Sequence, residues 1–204
     1  SRAERAAALA SHASGRLAVL ARDDGAGPLD EVQALFQEAY ELVEEGSDDR
    51  LQHAFGLAAV HLLRAVRTGT PLPARRTAQR AALDLLGEVL AGANGPEHRL
   101  HADAALSYGR TLRTWTATAD DLALSRRAGL SALRGHAWRA LVQSGTAHTT
   151  LAARETTDAA LEVAGWCLAD DAPEQAFKAL DACRGLALHA AVTTWSVPAR
   201  LRAA

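Results

Sequence analysis

Seven short breaks divide this chain, and between them apolar residues recur every three or four positions, never every two over the length of a strand. That spacing gathers them on one side of a helix, so the chain is constrained to packed α-helices before anything else is known. The breaks carry the chemistry of helix ends. "DDGAGP" closes a helix over Ala3–Arg22 and opens a second over Leu29–Glu45, with Val32, Leu35, Phe36, Ala39, Leu42 and Val43 as its stripe. Ser47 caps a third, and Asp48 and Asp49 occupy the first turn, where the helix dipole favours negative charge. Its expected buried face is Leu51, Phe55, Ala58, Ala59, Leu62 and Val66.

"TGTPLP" ends that helix, and Pro73 starts a fourth that runs to Ala91. In "GANGPE" a glycine leaves one helix and Pro96 enters the next at its first position, which predicts a fifth over Glu97–Leu112. Thr118, with Asp120 and Asp121 behind it, opens a sixth to Gln143, and "SGTAHTT" precedes a seventh over Leu151–Ala169. Asp171 with Glu174 forms a capping-box pattern for an eighth, which extends to about Ala191. Alanine and leucine lose little side-chain freedom in helices, and they dominate an apolar fraction of 49% in a chain only 4% aromatic.

Every second helix starts roughly 50 residues after the one before it, a near-constant step that suggests stacked two-helix hairpins. The expected fold is therefore all-α, a degenerate tetratricopeptide-like α-solenoid over residues 1–195, with 196–204 beginning a linker. The step exceeds the roughly 34 residues of a regular tetratricopeptide repeat, and that repeat's W…LG…Y signature is absent. A closed helical bundle is the alternative.

Charge and cysteine usage narrow the partners. A formal net charge of −2 gives no global field that would steer nucleic acid or an anionic membrane surface to the chain. Lys178 is the single lysine among the basic residues, a bias expected of a GC-rich bacterial genome. Cys167 and Cys183 lack CxxC spacing and lie in apolar helical contexts, which predicts free thiols in a reducing cytoplasm. No apolar run approaches the length of a membrane span. The sequence holds no methionine, so Ser1 is expected to be a processing boundary.

The candidate chemistry is sparse. His98 and His101 sit one turn apart with Asp103 nearby, but a metal site needs three or four ligands and no HExxH pattern supplies the rest. They read as half-exposed helix residues, and so do His53 and His61; no metal and no cofactor is expected. Glycine-rich nucleotide loops and a GxSxG elbow are absent. Arg75, Arg76 and Arg80 form a basic face that could meet an acidic partner surface. In "EQAFKALDACRGLALHAA", Ala176, Leu180, Cys183, Ala187 and Ala190 fall on one helix face, so Cys183 reads as a core thiol and not a nucleophile. Gly185, among small neighbours, predicts a tight helix crossing, with Arg184 reaching a carboxylate or carbonyl groups. Trp195 and Val197 are expected either to pack on the eighth helix or to stand partly exposed where a downstream domain would dock.

The same stretch resembles the end of the helical region that precedes the peptidase domain in bacterial CHAT proteins, the caspase-like proteins associated with tetratricopeptide repeats. The pattern there is E-x-A-φ-x-x-x-(E/D)-x-x-R-G-x-x-L, with φ apolar. Glu174, Ala176, Phe177, Asp181, Arg184, Gly185 and Leu188 hold its places here. "DDLALSRRAGLSAL", Asp120–Leu133, resembles a repeat helix of that region, and the likeness spans about Asp120–Leu201. The resemblance implies a non-catalytic regulatory scaffold with a cysteine peptidase domain downstream, where that family's catalytic His and Cys lie. The implied partners are a protein or peptide and that downstream domain. A helical small-molecule sensor or enzyme domain, with its pocket inside a closed bundle, is the alternative.

Overall fold

The computed structural model describes residues 1–22, 27–115, 118–142 and 146–182, except the side chains of 141–142 and 146–153. These residues are all-α, with no strand among them. The helices are α1 (Arg2–Arg22), α2 (Leu29–Leu42), α3 (Asp48–Val66), α4 (Leu72–Gly92), α5 (His101–Trp115), α6 (Ala119–Val142) and α7 (Thr146–Ala169). Residues 173–182 are helical as well and are called α8 here. The chain divides into two compact units, Ser1–Asn94 and Gly95–Ala204.

In the first unit neighbouring helices pack in sequence order, α1 on α2, α2 on α3 and α3 on α4. α1 buries Ala6, Ala10 and Ala13, whose four- and three-residue spacing lays a row of small side chains against Val32, Phe36 and Ala39 of α2. Leu57 and Val60 of α3 complete this core. Gly56 gives the Phe36 ring its seat, because a Cβ there would overlap the ring. A polar tie joins three helices on the same unit. The Tyr40 hydroxyl donates to Glu88 at 2.8 Å, and Arg50 donates to that hydroxyl at 2.8 Å while lying over the ring at 3.9 Å.

In the second unit α6 packs between α5 and α7. Glycines let the helices approach closely. A Cβ on Gly129 would stand 2.8 Å from Val163 and 3.0 Å from the Trp166 ring, and one on Gly109 would stand 3.0 Å from the same ring. The indole of Trp166 is thus a wedge from α7 laid on two side-chain-free patches, one on α5 and one on α6. Gly135 plays the same part where α6 meets Ala102 of α5.

Several helix ends depart from the sequence expectation. α2 stops at Leu42, not Glu45: Gly46 takes φ +75°, and the Ser47 hydroxyl donates to the Glu44 carbonyl at 2.8 Å, so these residues form a turn. Ser47 also caps α3 as expected, its Oγ accepting from the Arg50 N–H at 3.2 Å. α5 begins at His101, not Glu97. Asn94 and Gly95 both take positive φ, and Pro96 lies in a run of four-residue turns closed by His98 N–H to the Gly95 carbonyl and His101 N–H to the His98 carbonyl. α7 begins at Thr146, five residues before Leu151; threonine's helix penalty is only a fraction of 1 kcal/mol per residue, less than continued helix hydrogen bonding returns.

Asp171 is not an N-cap. It takes φ 53° and closes α7: its N–H bonds the Leu168 carbonyl at 3.2 Å, and the Ala172 N–H bonds that of Cys167 at 2.8 Å. That is a Schellman pair, after which Pro173 opens α8. Burial shifts too. Val66 is exposed and Phe55, Ala59 and Leu62 are only half-buried, whereas Ala54, Leu57 and Val60 are buried. The reason is that α3 packs on both α2 and α4, so a single-stripe rule misplaces its core. On α8, Ala176 and Ala179 are buried and Leu180 is exposed.

The Trp166 wedge yields a paired prediction. Gly129→Ala should lower the free energy of unfolding in denaturant by about 1–3 kcal/mol through overpacking. Gly165→Ala, where a Cβ meets nothing within 4 Å, should raise it by up to about 1 kcal/mol through helix propensity.

Candidate functional site

Three helices of the second unit each turn a polar row toward one cleft of about 450 Å³. On α5 the row is Asp103, Leu106 and Arg110; on α6 it is His136 and Arg139; on α7 it is Glu155, Asp158, Ala159 and Glu162. Steps of three and four place each set on one helix face, so the cleft follows from the register in which the helices pack.

Two ion pairs organise its walls. Arg110 grips Glu162 with both arms, Nε to Oε1 at 2.8 Å and Nη2 to Oε2 at 2.5 Å, across α5 and α7. Arg139 donates to Asp103 at 3.1 Å across α6 and α5. The lining therefore holds two more carboxylates than guanidiniums. His136 is 7% exposed, and its Nε2 finds no hydrogen-bond partner. Burial pushes its pKa down, helped by Arg139 and Arg110 and opposed by Asp103 and Glu155, which favours the neutral ring.

The wall formed by α7 is held by a second cluster farther along that helix. Asp170 accepts from Arg113 of α5 at 2.8 and 2.9 Å and from Arg126 of α6 at 2.5 Å. Arg126 also donates to Gln175 of α8 at 3.1 Å, and Arg113 lies over the Trp166 ring at 5.6 Å. The Arg113 hydrogen bonds hold the Asp170 carboxyl below its usual range, burial opposes them, and Arg126 adds to the lowering. Neighbouring Cys167 is a free thiol, wholly buried, and burial raises its pKa; it has the character of a core residue.

The residues singled out in the sequence are placed as follows. Arg75 is half-buried, with an Nε that finds no partner, and Arg76 and Arg80 are exposed on α4. His98 accepts from the Leu100 N–H at 3.2 Å and holds the turn before α5. His101 is buried, not half-exposed, because Ser131 of α6 offers its ring a hydrogen bond at 2.8 Å. His53 is buried too, among the core residues of α3. Asp103 pairs with Arg139, and among the described residues no three His, Cys, Asp or Glu side chains group as metal ligands. Cys183, Arg184, Gly185, Trp195 and Val197 lie outside the described residues.

The sequence reading missed His136 and the acidic row of α7. A signal existed, since Glu155, Asp158 and Glu162 recur at steps of three and four in "RETTDAALE". Such a row on its own reads as a solvated helix face; only the packing of α5 and α6 against it makes a cleft.

In the first unit an apolar groove of about 360 Å³ lies among Leu17, Phe36, Phe55 and Leu63. Among the described residues no helix is long and apolar enough to cross a membrane. No known protein family, curated protein or solved structure matches the chain.

The Asp170 cluster predicts a pH dependence with a definite sign. A carboxyl whose pKa is lower folded than unfolded stabilises above about pH 4, and the contribution is lost as acidification passes the folded value. Asp170→Asn should cost roughly 3 kcal/mol at neutral pH, as expected when one member of a buried ion cluster is removed. In thermal melts its stability should also fall less steeply than wild type's below that pH.

Proposed function

We propose that the chain is a non-catalytic helical module that binds another protein surface, in the manner implied by its resemblance to the region preceding the peptidase domain of CHAT proteins. One observation carries this reading: large apolar side chains stand in water along α7 and α8. Leu161 and Leu168 lie two turns apart on one face of α7, at 59% and 62% exposure. Phe177 is 71% exposed and Leu180 is 44% exposed, one turn apart on α8. Exposed large apolar side chains that gather on a surface favour an interaction site, and these two pairs support that reading. Phe177 is also the apolar position of the very motif that carries the resemblance, which ties the exposed face to the end of the repeats.

The partner in this reading is a protein surface with a complementary apolar patch, supplied by a domain encoded downstream in the same reading frame. The cytoplasmic setting expected from the two cysteines belongs to the same proposal. Isothermal titration of the chain with that separately produced downstream domain is the test. Saturable binding is expected, weakened about tenfold or more by Leu168→Asp with Phe177→Asp, the loss typical of central interface residues. Both side chains are exposed, so the melting temperature should not move. A reading frame with no further folded domain, or binding indifferent to the two substitutions, would contradict the proposal.

A further inference from the structure

Glycines inside the helices of this chain serve as seats for side chains from a neighbouring helix. Gly56 takes the Phe36 ring, Gly109 and Gly129 share the Trp166 indole, and Gly135 lies against Ala102. Gly165 is the remaining described glycine within a helix of the second unit, and a Cβ there would meet nothing within 4 Å. It lies between Leu161 and Leu168 at steps of four and three, so the three share one face of α7, and both leucines stand in water. Gly15 and Gly87 of the first unit are open as well, but neither lies between two exposed leucines. A glycine weakens an exposed helix relative to alanine, and no described residue uses the space this one leaves.

Charge around these apolar residues is one-sided. Asp158 stands one turn before Leu161 on the same face, and Asp171 follows Leu168 in the turn to α8. Glu174 and Asp181 stand one turn before and one turn after Phe177. All four carboxylates are exposed, and Arg154 and Lys178 are the only bases between positions 154 and 182. We infer, on the docking reading above, that the partner meets this face with an amphipathic α-helix. One large apolar side chain of that helix enters the notch at Gly165 between Leu161 and Leu168, and Lys or Arg residues toward its ends meet the carboxylates. A helix matches the two leucines because both lie two turns apart, the spacing at which another helix repeats its own apolar face. Basic ends match because the carboxylates outnumber the local bases, and an acidic helix would be repelled. The seat that Gly109 and Gly129 give the Trp166 indole shows how large a side chain such a notch accepts.

Calorimetric titration with the separately produced downstream domain tests this. Gly165→Gln fills the notch with a good helix former, so the melting temperature of the chain should hold or rise. Its dissociation constant for that domain should nonetheless rise about tenfold or more, as expected when a close contact is overpacked. A purely structural glycine would not split stability from affinity in this way. Raising NaCl from about 0.05 M to about 0.5 M should weaken wild-type binding about tenfold or more, and Asp158→Asn with Glu174→Gln and Asp181→Asn should remove most of that salt dependence. Photo-reactive residues in place of Leu161 and Leu168 should label partner residues at helical spacing, three, four or seven apart. Binding that responds to Leu168→Asp with Phe177→Asp but ignores Gly165→Gln, ignores salt, or labels the partner at strand spacing overturns the basic helix and leaves docking standing. Absence of any binding overturns both.

Discussion

Asp170 sits at the end of α7 with its negative charge where the helix dipole is also negative, a place where an unaided carboxylate is unfavourable. Two guanidiniums, Arg113 from α5 and Arg126 from α6, make it favourable. Its side chain is only 7% exposed, so these hydrogen bonds form largely out of water, and loss of either partner leaves charge poorly compensated. The clasp thereby fixes where α7 ends relative to both helices it crosses. Arg126 extends the same tie to Gln175, and the Schellman turn at Asp171 sends the chain directly into α8.

From that clasp the rest of the cleft follows along one row of α7. Trp166 is one turn before Asp170, Glu162 one turn before that, and Asp158 and Glu155 continue the row at steps of four and three. The indole wedges on Gly109 and Gly129, Glu162 is gripped by Arg110, and the last two carboxylates line the cleft that His136 also lines. Sliding α7 by one residue would rotate the row by about 100° and undo all of these contacts together. The glycines matter because they let the helices come near enough for short acidic side chains to reach across.

Much of the fold was legible in the sequence. The period of apolar residues gave an all-α chain, and Ser47 and Thr118 were recognisable caps because their side-chain oxygens act within their own turn. A glycine inside a helix marks a close approach at Gly56, Gly109, Gly129 and Gly135 but not at Gly15, Gly87 or Gly165, where a Cβ would meet nothing within 4 Å; Gly185 itself lies outside the described residues. What could not be read locally was anything set by two helices at once. Asp171 resembled a cap for α8, yet its left-handed backbone closes α7, because a Schellman turn depends on carbonyls behind it. His101 looked half-exposed until Ser131, 30 residues later, supplied its partner. The cleft has no contiguous motif, only three helix faces that meet.

The register of α7 is the claim on which this account rests, and native-state hydrogen exchange measures it directly. Amides of residues 156–170 should be compared between wild type and Arg126→Leu, a change that removes one arm of the clasp and keeps an apolar stem. The account predicts that protection falls across this stretch as a unit, together with the facing amides of α5 and α6 that border Trp166. Protection along α7 that is unchanged, or lost only in the final turn beside Asp170, would contradict it.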